Sequence, residues 1–440
     1  MSSIKSQITS KLVGEIEVPG DKSISHRALM FGACAIGTTT INNLLESEDV
    51  FSTLNALKKL GVKITKNQEH WKILGNGLGS LFVNNQTLDL GNSGTGARLL
   101  MGLVAGSDLK VTFIGDKSLS RRPMKRIIEP LLKTGAQIDS SNNCLPLTIQ
   151  GSKIPLPIEY YSKLSSAQVK SSVLLSGLTS TGTTTYFEPL LSRDHTERML
   201  RYMGAEIKSE ETLENIWKIT LKGLPNLRSC YFNIPNDPSS AAFPIVAALL
   251  IKNSNIFIKN ICVNKTRIGF LNTLIEMGGK IKLFNRKENC GEKVADIEVK
   301  HSKLKGVNIP AERVPSMIDE YPILSIAASF AEGKTTMNGI KDLRNKETDR
   351  IKEVEESLNK LGIKTKSSYD NLLIEGLGKN FVEGGIEVDS KLDHRIAMSF
   401  LCLGLLSKKP IIVKQSETIN SSFPNFYNSM KKIGAKLIKI

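Results

Sequence analysis

A layered α/β fold of two domains, with three repeated units in each, is predicted by three features of the sequence. One pattern recurs six times along the 440 residues. Each copy carries one helical stretch that is apolar nearly all round and a second with a polar face, as expected of an inner and an outer helix. Each copy then closes on a glycine that leads into a strand-like segment.

The copies open at "DKSISHRALMFGACAIGTTTI", "GNSGTGARLLMGLVAGSDLKVTFI", "SSAQVKSSVLLSGLTSTGTTTYF", "NDPSSAAFPIVAALLIKNSNIFI", "EYPILSIAASFAEGKTTMNGI" and "DHRIAMSFLCLGLLSKKPIIV". They close at "KKLGVKI", "LKTGAQI", "RYMGAEI", "IEMGGKI", "NKLGIKT" and "KKIGAKL", with Gly61, Gly135, Gly204, Gly278, Gly362 and Gly434 at the helix ends. Buried helices against outer helices and sheets make a compact α/β layer. Six such units divide into an N-terminal domain over 21–233 and a C-terminal domain over 234–440 joined by residues 1–20. The strand-like "KLVGEIEVPG" is expected to pair with the C-terminal half, leaving two crossing segments as a hinge.

The bulk numbers set bounds. Apolar residues make up 40% of the chain, and its longest apolar runs, Phe243–Ile251 and Ile396–Leu406, are too short to span a bilayer. The first twenty residues lack a secretory pattern. Six scattered cysteines without a CxxC pair point to reduced thiols in the cytoplasm, and five histidines lack metal-ligand spacing, so no metal is expected. A net charge of +16 fits either a nucleic-acid surface or a site for anionic small molecules. Long basic blocks and aromatic RNA-binding motifs are missing, so net charge alone decides nothing between the two.

Polar residues concentrate where the inner helices begin, and there free N–H groups and the positive dipole end attract anions. In the first copy a cap explains Ser23 or Ser25 but not Lys22 and Arg27. The second copy has a glycine-rich turn at Gly91–Leu100, followed by Arg121, Arg122, Lys125 and Arg126 around Pro123, which reads as a first helical residue. The third places Ser165, Ser166 and Gln168 at a helix start. Asp194 and Glu197 read as a capping box, which leaves Ser192 and Arg193 to face a ligand.

The later copies add carboxylates. Asp319 and Glu320 precede a helix that starts near Pro322. In "LRNKETDRIKEVEESL" a helical reading puts Lys346 and Arg350 on one face with Glu347, an ordinary surface ion-pair face when taken alone. Asp393 reads as a cap ahead of His394 and Arg395. If the inner helices pack side by side, these ends converge on a cleft for polyanionic ligands, with Asp319 and Glu347 available for proton transfer.

Taken together, "PGDKSISHRA", "GNSGTGARLL", "RRPM", "SSAQVKS", "SRDHTE", "IDEYP", "KETDR" and "DHRIAM" closely resemble the 5-enolpyruvylshikimate-3-phosphate synthase family over essentially the whole chain. The resemblance implies two domains of three βαβαββ units, an inside-out α/β barrel with its active-site cleft between the domains. It implies transfer of the enolpyruvyl group of phosphoenolpyruvate to the 5-hydroxyl of shikimate 3-phosphate with release of phosphate, and no cofactor. By the same resemblance Asp319 matches the base, Glu347 the acid near the methylene carbon, and Lys22 a lysine that touches both substrates. Lys22, Ser23, Arg27, Ser166, Gln168, Arg193, Asp319 and Lys346 match positions that hold shikimate 3-phosphate. Lys22, Gly94, Arg122, Gln168, Arg350 and Arg395 match those that hold phosphoenolpyruvate. On this reading bound phosphate and the helix end together offset the charges of Lys22 and Arg27. The side-chain size at Gly94 bears on competition by glyphosate.

Ser421 and Ser422 stand where one branch of the family has a lysine before the late "FP", and Asp342 stands where that branch has an asparagine. Asn345 replaces a more usual apolar residue. These positions fit the other branch. The implied enzyme is a cytoplasmic monomer that binds neither nucleic acid nor membrane. Two rivals compete with this reading. The sister enolpyruvyltransferase acting on UDP-N-acetylglucosamine shares the repeat but usually carries a reactive loop cysteine, for which Cys144 lacks flanking cations. A basic nucleic-acid-binding protein would show salt-sensitive binding without catalysis.

Overall fold

The computed structural model describes residues 2–83, 85–379 and 381–440. In chain order its helices are α1 (Lys22–Cys34) and α2 (Glu48–Lys59), α3 (Gly94–Ala105) and α4 (Lys125–Lys133), α5 (Ala167–Gly177) and α6 (His195–Tyr202). The second half adds α7 (Pro238–Leu250) and α8 (Gly269–Glu276), α9 (Tyr321–Phe330) and α10 (Arg350–Lys360), α11 (His394–Gly404) and α12 (Phe426–Lys432). The first helix of each pair is interior: every residue of α7 and of α9 is buried. The second shows one face inward, as α2 does with Asp49, Val50, Thr53, Leu54, Ala56 and Leu57. Spacing of three and four residues produces that face.

Each copy rests on a four-stranded sheet that contains one parallel pair. The six closing glycines all adopt left-handed backbone, with φ between +76 and +107°. An L-residue there would meet its own carbonyl, so the repeated glycine marks the repeated turn from outer helix to strand. Inner helices approach closely: a Cβ at Gly102 of α3 would stand 2.2 Å from the Ser172 carbonyl oxygen of α5. Leucines and phenylalanines buried between helices and sheets each contribute about 1.5–3 kcal/mol, which is what commits these helices to the interior.

The chain forms two compact units. One consists of Met1–Pro19, Pro235–Lys287 and Lys293–Ile440, and the other of Gly20–Ile234 with Glu288–Glu292. They are called here the C-terminal and the N-terminal unit. The strand Ser3–Gln7 lies between Ile411–Lys414 and Lys436–Lys439, antiparallel to both. Two further strands are exchanged. Val13–Glu15 precedes α1 yet pairs in parallel with Asn255–Cys262, whereas Tyr231–Asn233 precedes α7 yet pairs in parallel with Ile36–Asn42. Nothing in the repeat marks the short excursion of Glu288–Glu292 into the N-terminal unit. There His195 Nδ1 lies 2.7 Å from Glu292 Oε1, and Arg198 donates to the Gly291 carbonyl at 3.2 Å.

Several local expectations are corrected. Asp21 caps α1, accepting from the Ile24 amide at 2.9 Å, because the helix begins one residue before Ser23. Ser25 instead accepts from the Leu45 amide. The α4 helix begins at Lys125, so Pro123 lies outside it. Asp194 occupies the position ahead of α6 without a side-chain cap; it binds Arg198 at 2.7 Å, and Glu197 turns inward to Lys170. The capping box does not form. Among the described residues no helix is long and apolar enough to cross a membrane.

Candidate active site

Within the N-terminal unit the starts of the three inner helices are tied into a ring. Arg27 of α1 is buried and donates from Nε to Thr196 Oγ1 and from one terminal nitrogen to Ser171 Oγ of α5, both at 2.7 Å. Gln168, at the start of α5, accepts from Arg98 of α3 at 2.6 Å and donates to Thr95 Oγ1 at 3.0 Å. Ser93 caps α3 through the Gly96 amide. His26 of α1 returns the ring to α2, with Nδ1 2.8 Å from Thr53 Oγ1. A Cβ at Gly94 would stand 3.0 Å from Arg122 and 3.5 Å from Arg98, so both guanidiniums border that bare α-carbon.

Five cations, Lys22, Arg27, Arg98, Arg122 and Arg193, thus belong to this end of the unit, where helix dipoles add positive potential. Burial, Lys22 and Arg27 hold the His26 imidazole well below its usual range, so it stays neutral. Burial also lowers Arg27 to about 10 against the pull of Glu197 and Asp21. The protein itself supplies partners for the cations that the sequence left to a bound phosphate. Lys22 pairs with Asp49 of α2, and Arg27 binds two hydroxyls and the Ser23 carbonyl. Arg122 donates to Asn92 and to Ser118, while Arg121 and Lys125 remain exposed. Ser23, Ser166 and Arg193 are half-buried, and Ser165 accepts from the Leu190 amide. Ser192 is buried against Glu188 rather than left to face a ligand.

The C-terminal unit repeats the ring with carboxylates in it. Arg395 of α11 donates to the Ser239 carbonyl of α7 at 3.0 Å, and its guanidinium carbon lies 5.8 Å from the centre of the Phe243 ring. Ser239 Oγ donates to Glu320 at the start of α9. Arg267 joins Asp237 at 3.0 Å and Ser239 Oγ at 2.9 Å. Arg350, the first residue of α10, closes the ring. It donates to Asp393 at 2.8 and 3.2 Å and to Glu347 at 2.6 Å, and it lies 3.7 Å from Asp319. Lys346 faces the same Asp319 oxygen at 3.5 Å.

Arg350 is only 2% exposed, which overturns the surface ion-pair reading. Burial opposes its charge, yet Asp393 and Glu347 outweigh burial and push its pKa higher still. Lys346 and Glu347 are not on the helix: Asp349 caps α10 through the Lys352 amide at 3.0 Å, so both residues lie in the chain leading into it. The Arg350 terminal nitrogen nearest Asp319 has no hydrogen-bond partner among the described residues, nor has Arg395 Nε. Asp393 caps α11 through the Arg395 amide at 2.9 Å while also holding Arg350 and Thr348. Ser421 lies 3.1 Å from the His394 ring.

Arg27 and Gln168 in one unit, and Asp319, Lys346, Glu347, Arg350 and Arg395 in the other, take part in these networks; Lys22, Gly94 and Arg122 border the first, and Ser23, Ser166 and Arg193 lie half-buried at or next to helix starts. Asp49, Asn92, Thr95, Arg98, Asp237 and Arg267 were not foreseen. Asn92 and Arg98 were signalled only by sitting in the glycine-rich turn, and Asp49 only by the acidic start of α2. No group of three or more His, Cys, Asp or Glu side chains among the described residues is arranged to hold a metal. Cys144 is half-buried, with its sulfur 3.9 Å from the Arg121 carbonyl oxygen.

Six α/β units whose inner helices present charged starts in two rings define the enolpyruvyl transferase fold. The enolpyruvyl transferase NikO of Streptomyces tendae shares it with a TM-score of 0.79 at 16% identity, over 100% of this chain and 99% of that one. The family model for EPSP synthase (3-phosphoshikimate 1-carboxyvinyltransferase) matches residues 6–430. The chain belongs to that family and is an enzyme that transfers an enolpyruvyl group in the shikimate pathway. It is 50% identical over 439 residues to the 3-phosphoshikimate 1-carboxyvinyltransferase of Parvibaculum lavamentivorans, covering 99% of this chain and 97% of that one. The enzyme of that name from Bartonella henselae is 49% identical over 430 residues, covering 98% and 97%. The solved EPSP synthase of Acinetobacter baumannii has a TM-score of 0.87 at 39% identity, with both chains wholly covered.

Proposed function

We propose that the chain acts on one pair of substrates, shikimate 3-phosphate and phosphoenolpyruvate, with Asp319 and Glu347 moving the protons. The observation that carries this reading is the sharing of one buried guanidinium, Arg350, by Glu347 and Asp319. Shikimate 3-phosphate is held by Lys22, Ser23, Arg27, Ser166, Gln168, Arg193, Asp319 and Lys346. Phosphoenolpyruvate is held by Lys22, Gly94, Arg122, Gln168, Arg350 and Arg395. The cationic ring suits phosphate, and arginine forks suit carboxylate and phosphate because two parallel bonds fix orientation as well as charge.

The chemistry follows from these placements. Asp319 accepts the proton of the 5-hydroxyl as that oxygen bonds to C2 of phosphoenolpyruvate, while Glu347 delivers a proton to the methylene carbon. Glu347, now ionised, takes a proton back from the new methyl group as the bond from C2 to the phosphate oxygen breaks, which releases phosphate and restores the double bond. A cation stands beside each carboxylate: Lys346 lies 3.5 Å from Asp319, and Arg350 donates to Glu347 at 2.6 Å.

The reading is tested by mixing the protein with both substrates and measuring free phosphate. Phosphate appears only when shikimate 3-phosphate and phosphoenolpyruvate are both present; release from phosphoenolpyruvate alone at the same rate overturns it.

A further inference from the structure

Lys170 lies one turn into α5, wholly buried, and plays no part in the chemistry described above. Its ammonium donates to Glu188 Oε1 at 2.8 Å and to the Ser192 carbonyl at 3.2 Å, and it is ion-paired with Glu197 Oε1 at 2.8 Å. Glu188 in turn accepts from the amide and the hydroxyl of Ser192, at 2.9 and 3.0 Å. All three polar groups of Ser192 are thereby fixed, and the next residue in the chain is Arg193.

An ion pair of this kind is a poor stability device, since apolar residues of similar volume usually serve at least as well. What the cluster does supply is geometry. It ties α5, which carries Ser166 and Gln168, to the end of the strand Thr183–Glu188, to α6, and to the loop that presents Arg193. Burial opposes the Lys170 charge, but Glu197 and Glu188 outweigh burial and push it up to about 12, so the strut keeps its charge across the working range.

We propose that Lys170 is a positioning residue: through the Ser192 backbone it sets the guanidinium of Arg193 for shikimate 3-phosphate. This rests on the reading that Arg193 binds that substrate. The test measures kcat and both KM values by phosphate release in Arg193→Ala, Lys170→Met and the double variant. Arg193→Ala is expected to raise the KM for shikimate 3-phosphate, and Lys170→Met to raise it roughly tenfold, with the KM for phosphoenolpyruvate within about twofold of the parent. The double variant should be no worse than Arg193→Ala, because both changes remove one function.

Lys170→Met leaves two buried carboxylates without their cation. If it fails to fold, the same readouts apply to Lys170→Met/Glu188→Gln/Glu197→Gln, which is expected to keep the raised KM while recovering the melting temperature. Three results overturn the proposal: additive effects in the double variant, an equal rise in both KM values, or parental KM values in the folded triple variant. An Arg193→Ala variant with an unchanged KM for shikimate 3-phosphate also overturns it, and that result removes Arg193 from the site as well. A raised KM in Arg193→Ala beside an unchanged one in Lys170→Met removes the strut alone.

Discussion

Gly94 turns its bare α-carbon toward the Arg122 guanidinium, leaving room for a methyl group only at 3.0 Å from the nearer nitrogen. That is tighter than ordinary contact, and Arg98 stands behind at 3.5 Å. Gly94→Ala is therefore expected to displace the Arg122 head group while leaving the fold intact, since φ at this position suits any residue. Steady-state kinetics should show the KM for phosphoenolpyruvate raised by roughly tenfold, with the KM for shikimate 3-phosphate little changed. An unchanged KM for phosphoenolpyruvate would take Gly94 and Arg122 out of that subsite.

Asp393 and Asp349 both cap helices, yet they should differ in weight. Asp349→Ala loses the cap of α10 and a bond from Arg344, at a cost of about 1 kcal/mol. Asp393→Ala loses the cap of α11 and also strips the buried Arg350 of its bidentate partner, which costs about 3–5 kcal/mol. Urea denaturation of the two variants measures the gap. Equal destabilisation would mean that Glu347 and Asp319 alone compensate Arg350.

His26 gives a pH dependence of defined sign. Its folded-state pKa is lowered by burial, Lys22 and Arg27, whereas the unfolded chain titrates near 6.5. Below that pH the unfolded state binds the proton first, so stability is lost as pH falls from about 6.5 toward the folded value, by up to about 1.4 kcal/mol per pH unit. Unfolding free energies at pH 7.5 and 5.5 should differ less in His26→Gln than in the parent. The same slope in both proteins would assign the dependence to other groups.

Much of this architecture was legible because a repeat amplifies weak signals. One glycine after an amphipathic stretch says little, but six at matching points, all with positive φ, define the unit and its size. The inner helices were readable for the same reason: a stretch like Ala241–Ile251 has no polar face to show to water. The two rings follow once the inner helices lie side by side, because their charged starts then share one end of each unit.

What could not be read is pairing across long sequence separation. Arg98 and Gln168 are 70 residues apart, and nothing local to either announces the other. Lys170 has the look of an ordinary helical lysine until Glu188 and Glu197 are seen around it. Helix starts also slipped where two acidic or hydroxyl residues compete for the cap. Asp21 won over Ser23, and Asp349 set α10 four residues later than the spacing of Lys346 and Arg350 suggested. That slip mattered most, because it moved Glu347 from a surface helix face to the side of a buried guanidinium.

The central claim, that Asp319 and Glu347 carry the protons of the transfer, is tested most directly by phosphate release in Asp319→Asn and Glu347→Gln with both substrates saturating. The prediction is a fall in kcat of at least about 10²-fold in each variant, with calorimetric binding of shikimate 3-phosphate still measurable. Full turnover in either variant would contradict the role given to that carboxylate.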